Sequence, residues 1–384
     1  MIHVRIRCSL TALADLVVTF FAAPALAAVS AASIIGVDQV RVLYPFIDGI
    51  DDLSGNVQRV AIVDTGIQWN HPALAGRVVA GVNYAAGATY GSEAPAAYMD
   101  LNGHGTFVSG VIASSQADLL GVTPNVELVA VRVLAANGQG SFADVTAGLK
   151  WVNEHAAALN ITAVNVSLGT TSVYTSPGAV PSLSTYTAMQ QQLQALTNRG
   201  IVTVVASGNS GSSIGLNIPS IFNEVVSVGA STVTDSVASF SNRNPYLEVL
   251  APGEGVRSLW KGSGYSTGSG TSYAAPFVTA SAVLLREMLD RRAFVLEAEG
   301  VSAAEVDLQA QFANFQDLFV NLIQSTGVDI YDPASKYTYD RLSLLAALQW
   351  LDPHPLPAVP EPATGAVMAV GVIVMVRRPR RQAA

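Results

Sequence analysis

Acid–base chemistry near neutral pH most often falls to histidine, and the chain has five: His3, His71, His104, His155 and His354. His3 and His354 lie in the terminal segments, His155 reads as the solvated end of a helix, and His71 sits in an Asn-His-Pro turn. His104 differs: it stands in Asn102-Gly103-His104-Gly105-Thr106, where the flanking glycines let another backbone or a substrate come close, and an apolar run follows as if a helix began there. Asp64 closes the apolar run Val60–Val63, and a carboxylate at a buried strand end needs a partner. Ser272 lies in Gly270-Thr271-Ser272-Tyr273-Ala274-Ala275-Pro276, a glycine loop opening into a small-residue helix with proline in its first turn. An Asp, a His and a Ser together can make an activated nucleophile: the hydroxyl attacks, the imidazole takes its proton, the carboxylate orients the imidazole. Taken singly, Asp64 also reads as a turn residue and Ser272 as a helix cap.

The elements that must position these residues are legible as short apolar, β-branched runs: Val60–Val63, Val126–Val133, Ile161–Leu168, Ile201–Ala206, Glu224–Val228 and Tyr246–Leu250. Runs apolar on both faces suit a parallel sheet covered by helices. Ser141 caps an expected helix over Phe142–Leu159, another runs over Thr187–Asn198 to a stop at Gly200, and Arg291–Gln316 reads as a helical arm. The order predicts a doubly wound α/β fold, mostly parallel, with helices on both faces and a ligand crevice at the carboxyl ends of the strands. Asp64, Ser167 and Asn209 all fall at such ends.

Composition narrows the function. Half of the 384 residues are hydrophobic and 12% are charged, which suits a large core. The net charge of −8 argues against nucleic-acid partners, which require a basic stripe. The single cysteine, Cys8, lies in the N-terminal segment, so the rest of the chain has no disulfide or thiolate chemistry. A lipase-type Gly-x-Ser-x-Gly elbow is missing around Ser272, and so is a dinucleotide-binding Gly-x-Gly-x-x-Gly turn after a strand.

Both ends read as addresses. Residues 1–27 have a basic start at Arg5 and Arg7, an apolar stretch broken by Asp15, and Ala25-Leu26-Ala27 as a cleavage site, the pattern of an export signal. Residues 28–56 form a short extension, 57–350 one catalytic domain and 351–362 a proline-rich linker. Residues 363–384 hold an apolar run, Ala363–Val376, followed by Arg377, Arg378, Arg380 and Arg381. Fourteen helical residues reach about 21 Å, short of a hydrocarbon core of about 30 Å. Without residues 1–27 and everything from Glu361 onward, Lys+Arg falls from 20 to 14 and Asp+Glu from 28 to 26, a net charge near −12.

Val60-Ala61-Ile62-Val63-Asp64-Thr65-Gly66, Asn102-Gly103-His104-Gly105-Thr106 and Gly270-Thr271-Ser272-Tyr273-Ala274-Ala275-Pro276 resemble the three signature blocks of the subtilase family of serine endopeptidases, and Gly121-Val122-Thr123-Pro124, Asn165–Gly169 and Ser207–Asn209 agree. The resemblance implies Asp64, His104 and Ser272 as the triad and Asn209, otherwise readable as a turn residue, as a donor to the oxyanion. It implies Ser167, Leu168 and Gly169 as the strand that pairs with substrate, and Ala206, Ser207 and Gly208 as the wall of the primary specificity pocket. Ile218-Pro219 falls where the family often has a cis peptide. Substrates would be proteins or peptides, and catalysis would need no cofactor. The family's commonest calcium-loop residues are not evident, so no metal is expected, while structural calcium is neither implied nor excluded. A silent, displayed module is the alternative to an active enzyme. Phe107 and Phe277 replace histidines common in relatives and are expected to pack on each other; Tyr273 stands where methionine is frequent. Residues 28–56 are too short for a separate inhibitory domain. The tail, with Pro360-Glu361-Pro362, its apolar run and its arginines, resembles the PEP-CTERM sorting signals of Gram-negative-type bacteria, which implies a membrane sorting enzyme as partner and a secreted or cell-surface destination; a plain membrane anchor is the alternative.

Overall fold

The computed structural model describes residues 30–50, 56–301 and 311–352. The expected export signal in residues 1–27, with His3 and Cys8, and the segment from Pro353 through the arginines lie outside the described residues.

The chain starts with two short helices, α1 (Ala31–Ile34) and α2 (Val37–Leu43), and then enters β1 (Arg59–Asp64). There follow β2 (Val78–Asn83), α3 (His104–Ala113), β3 (Glu127–Arg132), α4 (Phe142–His155) and β4 (Ile161–Val166). After β5 (Val173–Tyr174) come α5 (Ser184–Asn198), β6 (Val202–Ala206), β7 (Leu216–Asn217), β8 (Val226–Ser231) and β9 (Val249–Pro252). The hairpin β10 (Val256–Trp260)–β11 (Gly264–Gly268) leads into the long helix α6 (Thr271–Ala298). The last described elements are α7 (Phe315–Ser325), the hairpin β12 (Val328–Asp332)–β13 (Tyr337–Arg341) and α8 (Leu344–Leu351).

Nine strands form the main sheet in the order β12-β13-β9-β8-β6-β4-β1-β3-β2. β2, β3, β1, β4, β6, β8 and β9 run parallel, and the β12–β13 hairpin closes one edge. β1, β3 and β4 are buried almost end to end, as strands covered on both faces must be. On one face Ile62, Val204, Val228, Phe107, Val278 and Leu285 share a core; on the other Val63, Val131, Leu149, Val164 and Leu193 do. This is the expected doubly wound α/β fold.

Several local expectations hold in detail. Ser141 and Asp144 form a reciprocal capping box that starts α4 at Phe142. Ile218-Pro219 is cis. Residues 30–50 pack into the main body, with Ile35, Val37, Val40 and Tyr44 no more than 2% exposed. Gly36 lies against Leu345 of α8, so the two ends of the described chain meet.

Candidate active site

β1, β4 and β6 are neighbours, and their carboxyl ends deliver Asp64, Ser167 and Asn209 to one rim of the sheet. Two helices begin at this rim: α3 at His104 and α6 at Thr271, one residue before Ser272. Asp64 is the last residue of β1, Ser167 follows β4 directly and Asn209 lies three residues past β6, so little chain separates each from its strand.

Asp64 is fully buried, and both its oxygens face His104 Nδ1, at 2.8 and 2.9 Å. The Thr65 N–H donates to Asp64 Oδ1 at 2.7 Å. With Nδ1–H donated to the carboxylate, Nε2 is the ring nitrogen left to take a proton. Burial pushes the His104 imidazole down, but the Asp64 charge and hydrogen bond, backed by the Asp100 charge, more than offset this and hold it above its ordinary value.

Asp100 was missed in the sequence. It is 3% exposed; Oδ1 accepts from Thr65 Oγ1 and the Asn102 and Gly103 N–H groups, and Oδ2 accepts from the N–H and Oγ1 of Thr106. It thereby shapes the turn into α3 and fixes where His104 starts the helix. The signal was present as Asp-Leu-Asn-Gly just ahead of the histidine, an Asx-turn composition. The glycine after the histidine is required by close approach: a Cβ at Gly105 would strike the Gly66 carbonyl.

Ser272 sits in the first turn of α6. Its Oγ donates to the Ser167 carbonyl at 3.1 Å, and Ser167 Oγ donates to the Ser272 carbonyl at 2.9 Å. Behind them Thr279 Oγ1 donates to Asn165 Oδ1, and Asn165 Nδ2 donates to Ser167 Oγ, a buried chain that locks β4 to α6. Asn209 is exposed, and its Oδ1 accepts from both the N–H and Oγ1 of Thr271. Its Nδ2 is thereby left as the donor of the side chain.

A cleft of about 650 Å³ opens here, lined by His104, by Ser167, Leu168 and Gly169, and by apolar side chains that include Leu134 and Phe142. Ala206, Ser207 and Gly208 are buried at the end of β6, where Ser207 is bonded to the backbone and side chain of Asn242. Phe107 and Phe277 are both core residues, yet the rings against Phe107 are Tyr273, at 4.1 Å between centroids, and Trp260, at 6.4 Å. Tyr273 also lies 5.6 Å from the His104 ring. Among the described residues, no group of three His, Cys, Asp or Glu is placed to hold a metal ion.

The family model described as Subtilase family, peptidase S8, matches residues 55–318. The chain belongs to the subtilase family. As a subtilase it is a serine-type endopeptidase, and its catalysis needs no cofactor. It is similar to Subtilisin BL of Lederbergia lenta, 36% identical over 237 residues, 61% of this chain and 78% of the relative. It is similar also to a thermostable alkaline protease of Halalkalibacterium halodurans, 38% identical over 234 residues, 60% of this chain and 57% of the relative. A crystal structure of a cold adapted subtilisin-like serine proteinase superposes with a TM-score of 0.56 at 28% identity, over 77% of this subtilase and 89% of that chain.

Proposed function

We propose that Asp64, His104 and Ser272 are the catalytic triad of this subtilase and that Asn209 donates to the oxyanion. The observation that carries the assignment is the carboxylate of Asp64 set on His104 Nδ1 while α6 opens at Thr271, one residue before Ser272, on the same rim. Ser272 Oγ attacks the scissile carbonyl, His104 Nε2 takes its proton and passes it to the leaving amine, and water then cleaves the acyl-enzyme by the same route. Asn209 Nδ2 and the Ser272 N–H at the helix terminus meet the oxyanion.

The hydroxyl of Ser272 rests on the Ser167 carbonyl. A substrate strand pairing with Ser167–Gly169 offers its own N–H to that carbonyl, which releases the hydroxyl toward His104. Leu134, Phe142, Val145, Leu168 and Met189 then favour an apolar substrate side chain in the cleft. A fluorophosphonate probe on the mature enzyme tests the nucleophile: labelling lost in Ser272→Ala, with casein cleavage lost alongside, is expected; labelling kept in that variant overturns it.

The same reading has the enzyme exported through residues 1–27 and its tail, with Pro360-Glu361-Pro362 and the arginines, handled by a membrane sorting enzyme. Mass spectrometry of the mature protein decides this: an intact Gln382-Ala383-Ala384 end contradicts tail processing.

A further inference from the structure

Helix α6 joins two ends of the molecule. Ser272 is in its first turn, and Arg292 stands twenty residues on, about 30 Å away at 1.5 Å per residue. At that far end the described chain departs. Arg292 Nη1 donates to the Leu351 carbonyl at 3.0 Å, and buried Tyr44 hydrogen-bonds with Asp352. The exit at Asp352 is thus held against the end of α6 remote from the cleft.

Beside this exit lie two exposed aromatic rings. Phe294 on α6 is 64% exposed and Phe46, just past α2, is 45% exposed. The Arg291 guanidinium lies 3.9 Å from the Phe46 ring centroid, and Phe294 follows Arg291 by three residues, a neighbour on the helix surface. An exposed ring alone means little. Two of them bracketing an arginine give the chemistry of a membrane interface, where an aromatic ring buries its face and an arginine keeps its charge at the headgroups. Glu297 lies further along the same helix, so ring insertion rather than net charge would hold the face.

The chain beyond the exit names the occupant. Pro353–Pro362 is ten residues and spans at most about 35 Å. The apolar run Ala363–Val376 and its arginines follow directly. A bilayer that receives that run is within reach of the Phe46–Phe294 face.

We propose that the surface formed by Phe46, Arg291 and Phe294 lies in the headgroup layer of the bilayer that receives the C-terminal segment, so that the tethered enzyme holds its cleft outward into water. The inference rests on reading that segment as membrane-inserting.

The test uses the full chain carrying Cys8→Ser and Ser272→Ala, with one cysteine introduced by Phe294→Cys or, as control on the β10–β11 hairpin, Tyr265→Cys, each bearing an environment-sensitive fluorophore. Vesicles contain equal parts phosphatidylethanolamine and phosphatidylglycerol. Flotation with the vesicles reports tail insertion. The expected result is flotation with a blue shift and bromolipid quenching at 294 and neither at 265. In the unlabelled chain, Phe46→Ser with Phe294→Ser weakens vesicle binding by at least about tenfold. Flotation without a change at 294 overturns the proposal and leaves the tail reading standing; no flotation overturns both. A label at 294 already blue-shifted before vesicles are added means that protein covers the ring, and also overturns it.

Discussion

Thr271 holds the Asn209 side chain by two hydrogen bonds to the same oxygen, 2.8 Å from its N–H and 3.0 Å from its hydroxyl. On the proposed assignment, the residue before the nucleophile therefore orients the amide that donates to the oxyanion. Asn209→Ala is expected to lower kcat by about 10²–10³ with KM little changed, the size expected for losing one oxyanion donor. Thr271→Val keeps the backbone bond and loses the hydroxyl, so its loss of kcat should be smaller. Steady-state kinetics on a peptide amide measure both; an equal or larger loss in Thr271→Val would mean that the threonine acts through something other than Asn209.

The pairing of His104 with Asp64 sets the acid limb of activity. Catalysis needs the neutral imidazole, and the folded environment holds it above its ordinary value of 6.5. The rate kcat/KM should therefore fall as pH drops through a point above 6.5. Asp64→Asn removes the charge that raises it and presents the wrong tautomer: kcat should drop by about 10⁴, and the residual acid limb should move to lower pH. A pH–rate profile that keeps its limb in Asp64→Asn would show that another group controls it.

Tyr273 occupies the space that a side chain at Gly268 would need. A Cβ there would lie 2.5 Å from Tyr273 Cε2, while the ring itself lies tilted against Phe107 with 4.1 Å between centroids. Gly268→Ala must displace the ring that faces His104, so it should lower both stability and kcat. In a Tyr273→Ala background the same change should be milder. Phe107 and Tyr273 should couple by about 0.5–1.5 kcal/mol in a double-mutant cycle, whereas Phe107 and Phe277 should come closer to additivity. Denaturant unfolding of the single and double variants checks each.

Part of the candidate site is legible in the sequence. Histidine elimination singled out His104 and strand ends singled out Asp64, and the structure sets one on the other; Asn209, otherwise readable as a turn residue, and Ser272, otherwise readable as a cap, were assigned by the family resemblance. The strands buried on both faces, β1, β3, β4 and β6, announce themselves as unbroken apolar runs. β2 did not: its first residues are partly exposed and Gly81 interrupts it. The β10–β11 hairpin was silent for a similar reason. Its residues Arg257, Ser258, Ser266 and Thr267 give no clean alternation, and its place is set by contact with α3, as where Ser258 Oγ donates to the Phe107 carbonyl. Helices α1 and α2, of 4 and 7 residues, are too short for a periodic pattern to show. Sequence spacing shows that Phe107 and Phe277 face the core but not which rings meet them; against Phe107 these are Tyr273 and Trp260.

The loop that carries Asn209 is braced from a distance. Asn242 Oδ1 accepts from the N–H groups of Ser210 and Ser212, and its own N–H donates to the Gly208 carbonyl. The next residue, Arg243, donates to the Gly211 carbonyl and, at 2.8 Å, to Asp332 at the end of β12. Both partners of that ion pair are nearly buried, with side chains 8% and 7% exposed. Burial pushes the Asp332 carboxyl up, but the hydrogen bonds from Arg243 and Ser335 and the Arg243 charge outweigh it and hold the group below its ordinary value. Its contribution to stability is therefore present above the unfolded value, about 3.9, and lost as pH falls through the lower folded value. Asp332→Asn strands a buried guanidinium and should cost about 3 kcal/mol at neutral pH. Because the wild type gives up the same interaction in acid, the gap between the two proteins should narrow below about pH 4. Denaturant unfolding at neutral and acid pH reads this directly, and a gap that widens on acidification would contradict the assignment of the pair. The bracing also predicts a fall in kcat for Asp332→Asn, smaller than that of Asn209→Ala, with KM retained, since the loop loosens while its donor is still present.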